Sequence, residues 1–543
     1  MKVSEAIAEI LEREGVDVIF GYPRNAVLET AAARGIRPII VRQERVGLHM
    51  ADALSRLTRG KRMGVFAMQH GPGAENAFGG VAQAYAESVP VLVLPAGYAR
   101  KNAFVPDNFN STRSMETVSK HAEPLMLAEE TSNVFRRAFS LLRNGRLRPV
   151  VIELPYDVMD EQLPDELDYT PALSTRYAPD PAAIAAAAEM LVAATRPVIY
   201  AGQGVHWADA YEELLELAEL LAIPVCTSLE GKSIFNETHP LALGSGGAAI
   251  PLQVRHFLDA SDVIFGIGCS FSATAFGVAM PTGKRIIHNT IDPNDLNKNV
   301  ITELGLVGDA KLMLGSLIAA CRKLIDDAPR DATAVKAEIK EVEARFMEKW
   351  LPILTSDESP LTPYRVLWDL QHTVDKDEVI ITHDAGSPRD QLTPFWKSTT
   401  PHSYIGWGKS TQLGYGLALA MGAKLAFPDK LCINVWGDAA IGFTGTDFET
   451  AVRERLPILS ILLNNSSMAI ELDIMPEATK RFRSTDISGN YADFAKALGG
   501  YGERVEKVED IIPAIRRGIE KTQAGIPVIL EFITSQEKRF SRL

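Results

Sequence analysis

The stretch LCINVWGDAAIGFTGTDFETAVRERLPILSILLNN, residues 431–465, decides the fold of this chain. It opens with one apolar run, Leu431–Trp436, and closes with a second, Ile458–Leu463, both of the length and composition of buried strands. A helical pattern at Thr446–Glu454 lies between them. In a right-handed strand–helix–strand unit the two strands are parallel, so both end at the same edge of the sheet. The stretch therefore predicts an α/β fold with a parallel sheet covered by helices on both faces.

The same alternation continues through the whole chain in three blocks, which predicts three doubly wound parallel-sheet domains, the middle one Rossmann-like. The predicted domains are residues 1–165, 180–326 and 360–543, and a length of 543 residues agrees with about three domains. The other predicted strands are Asp17–Tyr22, Pro38–Val41, Met63–Met68, Val91–Leu94, Val150–Leu154, Pro197–Ala201, Ile223–Cys226, Val263–Ile267, Arg285–Ile291, Val379–Thr382 and Pro527–Phe532.

Two polar residues follow the strands of the opening stretch. Asp438 comes directly after Gly437 at the end of the first strand, and Asn465 follows the second strand, 27 positions later. A carboxylate and an amide carbonyl are hard oxygen ligands, which suit Mg²⁺ or Ca²⁺ bridging a diphosphate. The alternative is structural, with Asp438 as a helix cap and Asn465 as a turn residue.

The Gly-Asp-Ala run around Asp438, followed by the Asn-Asn pair that ends at Asn465, resembles the diphosphate-binding motif of thiamine-diphosphate enzymes. The resemblance implies that Asp438 and Asn465 hold Mg²⁺ together with the backbone carbonyl of Ser467. The chain departs from the motif at Ala439, where the family has a third-position glycine. The resemblance also implies cofactor contacts from Gly437, Ala439, Ala440, Met468 and Ile470.

A second segment, Gly408–Gly416, resembles the acetolactate synthase segment whose apolar residue supports the cofactor in its V shape. Leu413 is the matching residue, and the resemblance implies that the backbone carbonyl of Thr411 accepts the amine of the aminopyrimidine. An upstream loop with Ser387 and Pro388 resembles a second loop that holds the diphosphate. Ordinary core packing is the alternative for Leu413.

Thiamine chemistry needs a largely desolvated carboxylate against the pyrimidine ring, because a proton shared there favours the tautomer that deprotonates the thiazolium carbon. Glu44 lies where a predicted strand ends and a helix begins, in the segment Val41–Ala51, which resembles the acetolactate synthase stretch with the catalytic Glu. The segment Gln69–Asn76 resembles the family's Gly-Pro-Gly turn, which implies that Pro72 and Asn76 flank the pyrimidine. A solvated Glu at a helix start is the alternative for Glu44.

The resemblance covers nearly the whole chain and implies a pyrimidine-binding first domain, a central domain and a diphosphate-binding third domain. In this family the catalytic Glu and the metal site meet across a subunit interface, which implies a homodimer or a homotetramer. The central stretch Gly268–Ala273 stands where acetolactate synthases have an Arg-bearing loop, so we expect no FAD.

Four further polar residues are predicted to contact the substrate or to move protons. Arg24 and Asn25 replace two glycines in a loop that approaches the reacting carbon in relatives, and a cation with an amide suits a carboxylate. His70 is a candidate proton shuttle at neutral pH. The stretch Ala469–Glu471 resembles the one that carries an active-site Glu in pyruvate and indolepyruvate decarboxylases, so Glu471 is a candidate to protonate the enamine after CO₂ loss. The alternatives are an exposed Arg at a turn, a structural His and a solvated helix Glu.

Composition argues against other classes of function. A formal net charge of −13 without a strongly basic stretch argues against nucleic acid as a partner. No run approaches the roughly 20 apolar residues of a membrane span. The four cysteines are scattered singly, which favours buried reduced thiols over a zinc knuckle or a redox dithiol. The N-terminal segment lacks the apolar core of a signal peptide, which favours a cytoplasmic location.

Together these features predict a lyase or carboligase that depends on thiamine diphosphate and Mg²⁺ and acts on a 2-oxo acid or a related 2-hydroxy carbonyl compound. A non-ligating decarboxylase and a 2-hydroxyacyl-CoA lyase remain open within the family, since Glu471 favours protonation whereas the overall resemblance favours ligation. The sequence has no Gly-rich dinucleotide-binding fingerprint, which argues against a nucleotide-binding dehydrogenase. The presence of Glu44, Asp438 and Asn465 argues against a non-catalytic relative of the family.

Overall fold

The computed structural model describes residues 1–542, and within them lie three six-stranded sheets in which every paired strand is parallel. The prediction of three doubly wound α/β sheets is therefore confirmed. Central strands such as Val91–Gly97 are buried along their whole length, because helices cover both faces of the sheet.

The first sheet has the strand order β2-β1-β3-β4-β6-β5. Its strands are β1 (Val18–Gly21), β2 (Arg37–Ile40), β3 (Gly64–Met68), β4 (Val91–Gly97), β5 (His121–Pro124) and β6 (Val150–Pro155). Its helices are α1 (Val3–Arg13), α2 (Ala26–Ala33), α3 (Glu44–Leu57), α4 (Pro72–Ala86), α5 (Ser111–Met115), α6 (Thr131–Arg143) and α7 (Tyr156–Met159).

The second sheet has the order β12-β11-β10-β7-β8-β9, the order of a Rossmann sheet, with its switch point between β7 and β10. Its strands are β7 (Pro197–Ala201), β8 (Val225–Thr227), β9 (Ala242–Ser245), β10 (Val263–Ile267), β11 (Arg285–Thr290) and β12 (Leu304–Val307). Its helices are α8 (Pro181–Ala193), α9 (Gly204–Ala208), α10 (Tyr211–Leu221), α11 (Leu252–Ala260) and α12 (Ala310–Leu324), and α13 (Thr333–Leu354) leads on to the third sheet.

The third sheet repeats the strand order of the first, as β14-β13-β15-β16-β18-β17. Its strands are β13 (Val379–His383), β14 (Tyr404–Ile405), β15 (Leu431–Gly437), β16 (Leu459–Asn464), β17 (Tyr501–Val505) and β18 (Val528–Ile533). Its helices are α14 (Pro363–Thr373), α15 (Ser387–Leu392), α16 (Tyr415–Ala426), α17 (Asp438–Thr444), α18 (Phe448–Arg453), α19 (Pro476–Phe482), α20 (Tyr491–Ala497) and α21 (Val508–Gln523).

Strands β5, β9, β12, β14 and β17 are absent from the strands predicted from sequence, and each is the edge strand of its sheet. An edge strand has a neighbour on one side only and is covered less completely, so it needs no continuous apolar run. All four residues of β5 are only half-buried, and β14 is two residues long. The apolar pattern therefore identified the interiors of the sheets and missed these edges.

The thiols of Cys226, Cys269, Cys321 and Cys432 are buried and free, as predicted. Over residues 1–542, helices with both the length and the apolar character needed to cross a bilayer are absent.

Candidate active site

Asp438 and Asn465 lie around a single backbone N–H. Strand β15 ends at Gly437 and α17 begins at Asp438, whereas β16 ends one residue before Asn465. The N–H of Ser467 is 3.3 Å from Asp438 Oδ2 and 3.0 Å from Asn465 Oδ1 and donates to both. The three residues predicted as metal ligands are therefore neighbours in space.

The Asp438 carboxyl is almost completely buried, with 3% of the residue exposed. Burial raises the pKa of Asp438 to about 6, and the backbone N–H groups of residues 439 and 465–467 oppose that rise. Since the ionised form is disfavoured there, a cation at this place would stabilise it. The neighbouring Ser467 hydroxyl is buried and finds no hydrogen-bond partner within residues 1–542.

The oxygen ligands at this place suit a Mg²⁺ ion that also binds phosphate. A carboxylate oxygen, an amide oxygen and a backbone carbonyl are hard ligands, and Mg²⁺ commonly completes its shell with water and phosphate oxygens. In the described part of the chain, no group of three His, Cys, Asp or Glu side chains is placed to hold a metal. The residues present therefore fit a Mg²⁺ shared with a diphosphate better than an ion caged by the protein alone.

Two further loops reach the same place. Pro388, in the first turn of α15 after Ser387, packs on Gly437, with its Cγ 3.9 Å from the position of a Cβ there. Ile470, in the loop after β16, has its Cδ1 3.6 Å from the corresponding position on Gly386. Loops after three neighbouring strands thus converge at one edge of the sheet, where doubly wound folds bind ligands. The other predicted cofactor residues here are Ala439 (half-buried), Ala440 (buried) and Met468 (exposed).

Asp384, to which sequence reasoning gave no role of its own, fixes the start of α16. Its Oδ1 accepts hydrogen bonds from the N–H groups of Ala385 at 2.8 Å and Gly414 at 2.9 Å, and its Oδ2 accepts one from Gly416 at 3.0 Å. Burial raises the pKa of Asp384 to about 6, against the effect of these bonds. Gly414 has a φ of 86°, which favours glycine, so the backbone beside Leu413 is tightly specified.

Glu87 is a second functional residue that sequence reasoning missed. Its Oε1 lies 2.8–3.3 Å from the backbone N–H groups of residues 408–410 and accepts from all three. Gln83, one turn earlier in α4, donates its Nε2 to the last carbonyl of that segment at 2.9 Å. Helix α4 therefore holds the loop that leads into Thr411 and Leu413, both half-buried. Burial raises the pKa of this carboxyl.

Glu44 and Asn76, predicted from two separate segments, are in contact. Glu44 begins α3 and is 5% exposed, and the Nδ2 of Asn76 donates to its Oε2 at 3.2 Å. Burial raises the pKa of Glu44, while its own backbone N–H and Asn76 oppose the rise. A Cβ on Gly73 would lie 3.5 Å from Glu44 Oε1, so the turn that begins α4 at Pro72 runs past the carboxyl. The carboxyl is thus desolvated and held, and the solvated alternative is excluded.

Helices α3 and α16 pack against each other within one chain and share a buried polar network. Arg56 donates its Nε to Asp52 Oδ1 at 3.0 Å, and the Tyr415 hydroxyl donates to Asp52 Oδ2 at 2.5 Å. Near the start of α3, the N–H of Arg42 donates to Asp447 Oδ1 at 2.8 Å. The domain with Glu44 and the domain with Leu413 are thereby fixed to each other, whereas the dimer or tetramer stays a prediction.

Asn25 does not fit its predicted substrate role. Its Nδ2 donates to the carbonyls of Met68 at 3.0 Å and Leu94 at 2.8 Å, and its Oδ1 accepts from the N–H of Val27 at 3.1 Å. The side chain caps α2 and ties the loop to the ends of β3 and β4. We therefore assign Asn25 a structural role in place of the predicted substrate contact.

The remaining candidates, Arg24, His70 and Glu471, are less buried than Asp438 and Glu44. Arg24 is exposed, with a φ of 76°, and His70 is half-buried with its Nδ1 2.7 Å from the hydroxyl of Tyr156. Burial, followed by the positive charge of Arg24, lowers the pKa of His70. Glu471 is exposed at the start of a short 3₁₀ helix. The roles of these residues stay predictions.

A cavity of about 930 Å³ lies at the switch point of the second sheet. It is lined by glycines that follow β7 and β10, Gly202 and Gly268, and by cations that include Arg146 and Lys409. Lys409 belongs to the loop that Glu87 holds, so the cavity wall continues into the loop that leads to Thr411 and Leu413. The expectation that FAD is absent stays a prediction.

The chain is similar to known proteins over nearly its whole length. Three profiles of the thiamine pyrophosphate enzyme family match, for the N-terminal TPP binding domain at residues 1–111, the central domain at 184–317 and the C-terminal TPP binding domain at 384–532. The chain is 33% identical to a Methanocaldococcus jannaschii protein named "Probable acetolactate synthase large subunit", over 94% of this chain and 88% of that protein. It is 30% identical to the acetolactate synthase isozyme 3 large subunit of Escherichia coli, over 92% and 88%.

Among solved structures, the crystal structure of benzoylformate decarboxylase from Polynucleobacter necessarius superposes with a TM-score of 0.84 over 99% of both chains, at 20% identity. That likeness concerns the fold.

Proposed function

The chain belongs to the thiamine pyrophosphate enzyme family and is an enzyme of the acetolactate synthase type, and from that premise we propose that it uses thiamine diphosphate with Mg²⁺ to break or form the carbon–carbon bond beside the carbonyl of a 2-oxo acid. The observation that carries the proposal is the position of Asp438 and Asn465, whose oxygens accept from the same Ser467 N–H. Two oxygens so close together, one from a buried carboxyl, suit a metal-bound diphosphate.

In this proposal Asp438, Asn465 and the carbonyl of Ser467 hold the metal, and the loops with Ser387, Pro388, Gly437 and Ile470 surround the diphosphate. Bound thiamine diphosphate would supply the carbon nucleophile and accept the electron pair released from the broken bond. Glu44 would hold a proton at its Oε1, since its Oε2 is taken by Asn76. The other proposed cofactor contacts are Pro72, Asn76, Thr411, Leu413, Ala439, Ala440 and Met468.

We also propose domain bounds of 1–165, 180–326 and 360–543. The first break falls between the end of α7 at Met159 and the start of α8 at Pro181, and the second includes α13.

A homodimer or homotetramer is proposed as well. Phe104 (85%), Ile474 (74%) and Phe482 (76%) are exposed apolar side chains that such an assembly could cover. Mass photometry that finds only monomers would contradict the assembly.

A thermal shift experiment tests the cofactor assignment. Thiamine diphosphate at about 100 times its Kd should stabilise the protein by roughly 2.7 kcal/mol, and EDTA should remove most of that gain. Asp438→Ala should lose the shift, whereas Asp429→Ala, at an exposed position of the same domain, should keep it. Absence of a shift in the wild type would overturn the proposal.

A substrate panel tests the reaction. Purified protein with thiamine diphosphate and Mg²⁺ is incubated with 2-oxo acids, alone and with a second carbonyl acceptor, and with 2-hydroxyacyl-CoA compounds, and mass spectrometry identifies the products. A coupled product supports carboligation, a simple aldehyde supports a non-ligating decarboxylase, and a cleaved thioester supports an acyl-CoA lyase. Turnover of only the thioesters would contradict the 2-oxo acid assignment.

A further inference from the structure

The turn between β3 and α4 contacts both Glu44 and a group of three aromatic side chains, His70, Tyr98 and Tyr156. A Cβ on Gly73 would lie 3.5 Å from Glu44 Oε1. Earlier in the same turn, the ring of His70 meets those of Tyr98 and Tyr156 edge-on, with centroids 4.5 and 4.9 Å away. His70 therefore lies three residues along the same turn from the glycine that borders the proposed base.

Of the two tyrosines, Tyr156 alone is hydrogen-bonded to the imidazole within residues 1–542. Its hydroxyl is 2.7 Å from His70 Nδ1 and 3.4 Å from the backbone carbonyl of Arg24. The shorter contact is the stronger one. Burial raises the pKa of Tyr156, so the phenol keeps its proton. Because Nδ1 at 2.7 Å is nearer than the Arg24 carbonyl at 3.4 Å, we assign the phenol O–H to Nδ1. A neutral imidazole that accepts at Nδ1 carries its own hydrogen on Nε2.

The groups that face the imidazole keep it neutral. Tyr98 and Tyr156 pack on the ring, and Arg24 is the nearby charge. Burial first, and the Arg24 charge second, lower the pKa of His70. His70 is only half-buried, and its Nε2 has no hydrogen-bond partner in the described residues, so the Nε2–H is free to bind a ligand.

We propose that Tyr156 is a positioning residue that fixes His70 as an Nε2–H hydrogen-bond donor to a carbonyl or carboxylate oxygen of the substrate. The substrate part rests on the proposed function, whereas the Tyr156–His70 bond does not. A neutral imidazole that donated its proton outright would become an imidazolate, which is far too basic for this environment. His70 therefore polarises an acceptor oxygen at neutral pH, in place of the predicted proton shuttle.

Carbethoxylation tests the bond without any turnover. Diethyl pyrocarbonate reacts with neutral imidazole, so its rate at His70, followed by peptide mass spectrometry from pH 5 to 8, reports the titration of that ring. Tyr156→Phe keeps the packing but removes a donor to the neutral form, and should raise the midpoint by about one pH unit or less. Tyr98→Phe is the matched control, because that ring packs on His70 without bonding to it, and should leave the midpoint in place.

Kinetics test the role in the reaction, with a substrate from the panel above. Tyr156→Phe should lower kcat/KM about tenfold or more and move the acidic limb of its pH profile upward, whereas Tyr98→Phe should leave that limb in place. An unmoved carbethoxylation midpoint in Tyr156→Phe, or an equal shift in Tyr98→Phe, overturns the bond. A moved midpoint with unchanged kcat/KM overturns the role toward substrate. A wild type without turnover contradicts the proposed function, while carbethoxylation still decides the bond.

Discussion

Removing the charge of Asp52, which forms a buried ion pair with Arg56, should destabilise the protein far more than removing one charge from a surface ion pair with the same sequence spacing. Asp52 and Arg56 are four residues apart in α3, and their side chains are 1% and 8% exposed. Glu477 and Arg481 have the same spacing in α19 but are 66% and 67% exposed. The two pairs share sequence geometry and differ in burial.

The expected magnitudes follow from that difference. Asp52→Asn leaves the Arg56 guanidinium buried without its counter-charge and weakens the bond from Tyr415, which should cost about 3–5 kcal/mol. Glu477→Gln removes an exposed pair and should cost about 0.5 kcal/mol or less. Tyr415→Phe removes one hydrogen bond to a charged group and should fall between them, at about 1.5–3 kcal/mol.

The assay is thermal unfolding of the three variants and the wild type at one scan rate. A chain of several domains does not unfold in a single two-state step, so its Tm values serve for comparison between variants and not as absolute stabilities. About 1 kcal/mol corresponds to roughly 2–4 °C for domains of this size, so Asp52→Asn should lower Tm by about 6 °C or more. Equal Tm values for Asp52→Asn and Glu477→Gln would refute the reasoning, because burial would then not decide the cost of the lost charge.

Three further outcomes are expected. Glu44→Gln should lower turnover by about 10²–10⁴-fold with cofactor binding retained, and unchanged proton exchange at the thiazolium carbon would reject Glu44 as the base. Gly416→Ala places a Cβ 2.3 Å from Asn434 Oδ1 and should destabilise the protein by about 1–3 kcal/mol. In Gly442→Ala the new Cβ meets no atom within 4 Å, and the protein should gain about 0.5–1 kcal/mol of stability. Changes of the same sign in the free energy of unfolding by urea would contradict this packing. Burial raises the pKa of Asp384 from 3.8 to about 6, so the stability that its neutral form provides is lost as pH rises through that range, and Asp384→Asn should flatten this part of the stability curve. An identical slope in both proteins would show that another group titrates.

The sequence was sufficient for those parts of the fold that depend on local pattern. The interiors of all three sheets follow from short apolar runs, because strands covered on both faces must be apolar along their length. Edge strand β17 contains Glu503 and Arg504, which reach solvent or surface partners, and no apolar pattern identifies such a strand.

The candidate site divides in the same way. Asp438 and Asn465 each directly follow one of two paired parallel strands, so the parallel pairing alone brings them to one edge of the sheet. Glu87 was missed because its partners are backbone N–H groups more than 300 residues away, which carry no side-chain signal. Asn25 was misjudged because its partners are carbonyls at the ends of other strands. Contacts to backbone across long separations are the ones that residue types do not reveal.

The packing of α3 on α16 has a consequence for how the chain is made. All but one of the fourteen residues of α3 are buried, and much of that cover comes from a helix that begins roughly 360 residues later. At about 5–20 residues per second, a ribosome needs roughly 20–70 s to reach the second helix after finishing the first. During that interval an apolar helix face and the buried Asp52–Arg56 pair lack their final cover. The first domain is therefore most prone to aggregation during this interval, and binding of a chaperone would protect it most at that stage.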